Sequence, residues 1–175
     1  MRRQPLSRRV AHGLAVNPSS SPVAHNARAI IVADEQVALI ERKRGAEHFF
    51  VFPGGSVEPG KTSDQAVARE VEEEVGLIVR PVRIVAEVTF PDRVQAYWLA
   101  EIDGGEFGTG TGLEVTGKFG ERHGTYRPTW MPITDLIRHN VLPRSIAVEL
   151  VPRQVAGWPK EMLRFSDDLM WWRTT

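Results

Sequence analysis

Residues 53 to 76 constrain this chain more tightly than any other stretch. They open with PGGSVEPGK, two prolines and three glycines in nine residues, a density that leaves little room for regular structure. A helix is then expected at once. Thr62 is placed to cap it, and Gln65, three residues on, completes a capping-box pattern. Val67, Val71 and Val75 recur every four residues and make one apolar stripe. Gly76 follows, able to take the left-handed conformation that ends a helix. The spacing predicts a loop and then a helix over 62–76 that buries its valine face.

That helix also carries REVEEEVGL, residues 69 to 77. Glu70, Glu73 and Glu74 fall within one sector, because positions three and four apart are neighbours on a helix. Glu72 points elsewhere. Like charges at this spacing each cost about 0.2–0.5 kcal/mol, and anions near a helix C-terminus oppose its dipole. Two readings account for the cluster: a solvated acidic face, or a site for a hard divalent cation that takes carboxylate oxygens and substrate phosphates.

The rest reads as strands around this unit. Ala29–Ala33 is a buried strand, Asp34 and Glu35 a turn, VALIER (37–42) a second strand and FFVF (49–52) a third, ended by Pro53. RIVAEVTF (83–90) and VQAYWLAEI (94–102) are two more, with a hairpin about Pro91 and Asp92. DGGEFGTGTG (103–112) reads as a flexible loop and TWMPI (129–133) as a short strand. A helix is expected to begin at TDLIRHN, capped by Thr134, and PRSIAVELV continues helical after Pro143. Helices packed on a mixed sheet follow from this order.

Composition narrows the function classes. At 175 residues one domain is favoured. Lys and Arg (22) balance Asp and Glu (22), so no nucleic-acid-binding charge excess exists and no specific nucleic-acid partner is expected. The chain has no cysteine, which excludes disulfides, thiolate metal sites and a cysteine nucleophile. A cytoplasmic location is expected. No apolar run approaches the roughly 18 residues of a membrane span. Residues 1–25 carry Arg2, Arg3, Arg8 and Arg9 and then NPSSSP, a basic, flexible arm and linker without the apolar core of a secretory signal.

Written out, GSVEPGKTSDQAVAREVEEEVGL, Gly55 to Leu77, resembles the Nudix box. Gly55, Arg69, Glu70, Val71, Glu73, Glu74, Gly76 and Leu77 match in register, and Pro53-Gly54 before the box also fits. One position departs: the family has a glutamate where this chain has Lys61. A looser similarity runs from about Ala27 to about Val151. The resemblance implies an α/β fold, an α/β/α sandwich with a mixed β-sheet, over residues 26–155. Residues 156–175 then form a tail, with Trp158, Phe165, Trp171 and Trp172, that docks on the domain or at a dimer interface. It further implies hydrolysis of a diphosphate linkage in a nucleoside diphosphate derivative, with Mg²⁺ or Mn²⁺ as cofactor, a small-molecule nucleotide as partner, and homodimers among relatives.

The roles carried over are specific. Glu70 and Glu74 are the first-choice metal ligands, Glu73 is a ligand or water activator, and Gly54 matches the position whose carbonyl joins the metal shell. Arg69 matches the arginine that orients a box glutamate. The catalytic base in relatives is often a glutamate on a downstream loop, here Glu114 or Glu121, unless these are solvated. Arg42 and Arg44 share one strand face and either hold phosphate or line a solvated edge. His48 either approaches the site or is half-exposed. Of Tyr97 and Trp98 only one can face ligand, and these and Trp130 either stack on a base or fill the core. A competing reading is a non-hydrolytic Nudix-type domain that binds and senses a nucleotide.

Overall fold

A computed structural model describes residues 26–112 and 124–167. Among them, β1 (Asn26–Ala33), β2 (Gln36–Arg44), β3 (Glu47–Val51) and β4 (Gly54–Ser56) precede helix α1 (Ser63–Val75). Strands β5 (Leu77–Thr89), β6 (Val94–Gly105), β7 (Thr125–Pro132) and β8 (Val141–Leu142) lead to α2 (Arg144–Ala156) and β9 (Leu163–Ser166). They form one mixed sheet in the order β8-β3-β2-β1-β6-β5-β9, with β4 also on β1 and β7 also on β2.

Each helix covers one face of the sheet, because strand side chains alternate. Ala29 and Ile31 of β1, with Ala38 and Ile40 of β2, pack beneath Val67, Val71 and Val75 of α1. Ile30, Val37 and Leu39 point the other way and join Ile146, Ala147 and Leu150 of α2. All three valines of the predicted stripe are fully buried. The result is the expected α/β/α sandwich. Among the described residues, no helix is long and apolar enough to cross a membrane.

The β1–β2 hairpin shapes the site. Asp34 and Glu35 both take positive φ, 47° and 60°, the turn geometry whose twist matches paired strands. The two strands pair only beside that turn, at Val32–Val37 and Ala33–Gln36. Beyond it they part. β1 pairs with β4 and β6, and β2 with β3 and β7. The gap between them opens at Arg28 on β1 and at Arg42 and Arg44 on β2.

Four expectations need correction. Gly54–Ser56 is not simply loop but a short strand on β1, and a Cβ at Gly54 would lie 2.2 Å from the Ala27 carbonyl. Glycine here permits close backbone approach. β5 begins at Leu77, not Arg83, because Leu77 and Val79 are buried under α1, and β-bulges flank Pro81. Thr134 caps no helix. It lies within a single 3₁₀ turn, Ile133–Asp135, and β8 intervenes before α2. Residues 137–140 are all exposed and offer no apolar stripe, while the residue before Pro143 is biased to extended backbone.

The fourth correction is the glycine-rich segment 103–112, which closes α1 rather than waving free. Gly112 N–H donates to the Glu73 carbonyl at 2.8 Å, and Gly108 N–H to that of Val75 at 2.8 Å. These are carbonyls that a helix C-terminus leaves without partners. At the other end, Thr62 N–H donates to Gln65 Oε1 at 3.2 Å and the Thr62 side chain faces the Gln65 backbone N–H, the predicted capping box. Gly76 is left-handed at φ 79°.

Candidate functional site

The last two turns of α1 carry the acidic side. Glu74 is only 7% exposed, and its Oε2 accepts the Gly54 N–H at 2.7 Å, tying the helix to the glycine segment. Glu70 lies against Gly55, where an added Cβ would meet Glu70 Cδ at 2.3 Å. Only glycine leaves space for that carboxylate. Arg69 Nη2 reaches Glu70 Oε1 at 2.6 Å, and its Nη1 reaches Glu73 Oε2 at 3.0 Å. The same guanidinium lies 3.7 Å from Glu58 Oε1. Arg69 thereby offsets the like-charge repulsion along the helix. Glu72 is exposed on the far side.

Burial pushes the Glu70 carboxyl above its ordinary value, opposed by the charge and hydrogen bond of Arg69 and reinforced by the charge of Glu73. Desolvation disfavours the charged carboxylate, and the Arg69 guanidinium at 2.6 Å is its counter-ion in this structure. The donor set suits a hard ion: carboxylate oxygens of Glu70 and Glu74, and the Gly54 carbonyl. Among the described residues, no three acidic or histidine side chains already converge as a finished cage. Glu73, held by Arg69 at the rim, would have to turn inward to join.

Opposite the carboxylates stands an arginine that sequence reading missed. Arg28 Nη1 donates to the Phe52 carbonyl at 3.2 Å and also to the Gly54 carbonyl. It therefore places positive charge on the very backbone oxygen expected to join a metal shell. The signal was present in ARAIIVA, since a charged residue inside a buried strand needs a partner. Arg42 lies over the Tyr126 ring, 3.4 Å from its centroid, with Phe49 at 5.7 Å. Arg44 pairs with Glu47 at 3.1 Å.

Two adjoining cavities follow from this layout. One, of about 400 Å³, holds Glu70, Glu74, Gly54 and Gly55. The other, of about 230 Å³, gathers Arg28, Arg42, Arg44 and Arg93. They share Arg28, Arg42 and Val51. The cleft thus has an acidic end and a basic end, joined at the parting of β1 and β2.

The remaining residues sort clearly. Tyr97 lines the basic cavity and donates its hydroxyl to Gln95 Oε1 at 2.7 Å. Burial pushes its phenol upward, so it stays neutral. Trp98 instead packs beside the α1 core, and Trp130 stacks on Phe107 at 4.7 Å. His48 lines neither cavity; it meets Glu41 Oε1 at 2.8 Å. Lys61 is exposed in a groove with Gln65 that adjoins the carboxylate cavity, sharing Glu58 and Arg69 with it. Glu114, Glu121, Trp171 and Trp172 lie outside the described residues.

A helix-borne carboxylate cluster, laid against a glycine segment on a two-sided mixed sheet, defines the class of fold and site. A family model described as the NUDIX domain matches residues 23–150, and the chain belongs to that family. An ADP-ribose pyrophosphatase of Methanocaldococcus jannaschii is 35% identical over 88 residues, covering 46% of this chain and 52% of that protein. An RNA pyrophosphohydrolase of Serratia proteamaculans is 40% identical over 57 residues, 33% of each chain. The chain thus spans about half the length of the first relative and a third of the second. Among solved structures, an ADP-ribose pyrophosphatase of Streptococcus suis superposes with a TM-score of 0.57 at 20% identity, over 81% of this chain and 97% of that one. A NUDIX hydrolase of Nitrosomonas europaea gives 0.56 at 19%, over 81% and 78%. At these identities the structural likeness speaks for the fold.

Proposed function

We propose that this protein is a metal-dependent pyrophosphohydrolase acting on a nucleoside diphosphate derivative. The observation that carries this reading is the two-ended cleft, with buried Glu74, Glu70 and the Gly54 carbonyl on one side and Arg28 and Arg42 on the other. Two relatives bear pyrophosphatase or pyrophosphohydrolase names, which supports the same chemistry.

Glu70, Glu74 and the Gly54 carbonyl would hold Mg²⁺ or Mn²⁺, with Glu73 as the further ligand. When bound, such an ion neutralises diphosphate oxygens and makes a water more acidic. The chain's own residues do the positioning. Arg28 and Arg42, at the junction, present guanidinium forks to phosphate oxygens. Arg69 orients Glu70 and Glu73. Water attacks one phosphorus, the bridging P–O bond breaks toward the other phosphate, and a glutamate takes the water's proton. Glu73, Glu114 and Glu121 are the candidates for that base. Such a reaction asks a protein chiefly for positioning and charge.

The same reading takes residues 26–155 as the hydrolase domain, with 1–25 as an appended arm. Parallel pairing of β9 with β5 supports docking of the C-terminal tail on the domain itself. A panel of nucleoside diphosphate derivatives with Mg²⁺ or Mn²⁺ tests the proposal, run beside Glu74→Gln. The amide oxygen can still accept the Gly54 N–H, so the fold should persist while most turnover is lost. Tight nucleotide binding without turnover would favour a sensor domain instead.

A further inference from the structure

The cavity beside the acidic end carries information about the group attached to the diphosphate. Phe49, Val51, Phe52, Phe90, Leu142 and Pro143 make much of its described wall apolar or aromatic. Its four arginines are already engaged by the chain. Arg44 pairs with Glu47 and Arg93 with Asp92, Arg28 holds two backbone carbonyls, and Arg42 lies over the Tyr126 ring. Apolar and aromatic walls with a few fixed polar groups suit a flat ring. At about 230 Å³ the space lies below the roughly 300–1,000 Å³ of pockets that enclose drug-sized ligands. It takes one ring system, and the rest of the ligand continues into the adjoining carboxylate cavity.

One buried polar group in this wall has chemistry to spare. Gln95 is only 7% exposed, yet it lines the cavity. It shares one face of β6 with Tyr97, and Tyr97 stands in register with Arg28, which lines both cavities. The Tyr97 O–H donates to Gln95 Oε1 at 2.7 Å. Burial holds that phenol protonated, so it remains a donor. The amide oxygen is thereby engaged, and the amide nitrogen is left with its two N–H donors. Among the described residues no acceptor meets this nitrogen, and the unpartnered side-chain atoms that are sealed from solvent lie on other residues, so it opens on the cavity. A guanidinium has no acceptor either. The polar side chains of this wall therefore present donors to a ligand. A ring with a carbonyl oxygen satisfies Gln95, whereas a ring with an amino group at that place sets donor against donor.

We infer that Gln95 selects the substrate's ring by donating to an exocyclic carbonyl, so that a nucleotide with an oxo-substituted base is preferred over its amino-substituted counterpart. Tyr97 is the positioning residue that fixes which end of the amide faces the ligand. The inference rests on the nucleotide hydrolase reading above for its catalytic arm, but its binding arm stands apart.

The test uses inosine 5′-diphosphate and adenosine 5′-diphosphate, whose bases differ in carrying a carbonyl or an amino group at one carbon. Binding of each to the full-length chain is measured by calorimetry in EDTA, for wild type, Gln95→Glu, Tyr97→Phe and the control Gln154→Glu. Gln154 is exposed on α2. Wild type should bind the inosine nucleotide at least about tenfold more tightly, since a buried donor left unpaired is costly. Gln95→Glu replaces the free donor with an acceptor of the same shape and should abolish or reverse that ratio. Tyr97→Phe keeps Gln95 but frees its amide to turn, and should shrink the ratio by at least about threefold. The control should match wild type. The kcat/KM ratio of the two nucleotides with Mg²⁺ should follow the binding ratio through the same series. Equal binding of both nucleotides by wild type, binding of neither, or a preference that Gln95→Glu leaves unchanged would each overturn the inference. Gln95-dependent selection in binding, with no turnover of any nucleotide in the panel above, would uphold it and defeat the hydrolase reading instead.

Discussion

Gly54 and Gly55 are neighbours, yet alanine at each should fail for different reasons. At Gly54 the backbone sits at φ +132°, and the new Cβ would lie 2.2 Å from the Ala27 carbonyl oxygen and 2.8 Å from Arg28 Cα. Both obstacles are backbone of β1, so the strand must move. Strain of about 1–3 kcal/mol from the dihedral adds to a similar overpacking cost. Taking about 3 kcal/mol as the sum, the Tm of a chain this size falls by about 6–12 °C. At Gly55 the obstacle is the end of the Glu70 side chain, 2.3 Å from the new Cβ. That carboxylate can swing aside, so stability changes by less than about 1 kcal/mol, the range of substitutions that leave the core untouched. Its place as a metal ligand does not survive the swing. Misplacing a positioning contact typically weakens metal affinity or activity by about 10–100-fold. Denaturant unfolding and Mn²⁺ titration of both variants separate the cases. A Gly55→Ala protein with wild-type Mn²⁺ affinity would refute the placement of Glu70 on the ion, whatever its stability.

The other expectations concern charge and closure. Burial alone would raise Glu41, but hydrogen bonds from His48 and Arg127 and the charges of Arg127 and Lys43 hold it below its ordinary value of 4.5. A depressed carboxyl stabilises the fold above that ordinary value, and the gain is lost as pH falls through the folded one. Glu41→Gln should therefore cost about 1 kcal/mol at neutral pH, after allowing for its exposed partners, and little in strong acid; a urea-midpoint gap that ignores pH would count against it. Glu70 has the opposite sign. Its raised carboxyl penalises the fold above the folded value, and the penalty vanishes below the ordinary 4.5. Metal-free Glu70→Gln should thus melt no lower than wild type at neutral pH, yet lose the Tm rise that Mn²⁺ gives wild type. Gly110→Ala should destabilise by about 1–3 kcal/mol, because its Cβ would lie 2.6 Å from the Glu73 carbonyl oxygen; unchanged hydrogen exchange at the end of α1 would contradict the closure role of the glycine segment.

How much of this was legible in the sequence differs by element. α1 announced itself fully, since its cap, valine stripe and terminal glycine are local signals read by one periodicity. Glu70, Glu73 and Glu74 came with it. The site's basic half was legible only in part. Arg42 and Arg44 share a strand face and could be paired on paper. Arg28 and Arg93 come from β1 and the turn before β6, and only tertiary pairing brings them to the same cavity. The glycine segment 103–112 misled because composition cannot distinguish a mobile loop from one whose glycines allow close backbone approach. β4 misled for the same reason, with Gly54 pressed against Ala27. The expected helix at Thr134 failed because burial of Val141 beside β3 outweighs local propensity.

One measurement bears most directly on the central claim, that α1 and the glycine segment grip a divalent ion against a diphosphate. Crystals grown with Mn²⁺ and a non-hydrolysable nucleoside triphosphate analogue would show the metal by anomalous scattering. The account predicts an anomalous peak touching Glu70, Glu74 and the Gly54 carbonyl, with phosphate oxygens between it and Arg28. Analogue bound in the cleft with no metal at those oxygens, or metal held elsewhere on the chain, would contradict it.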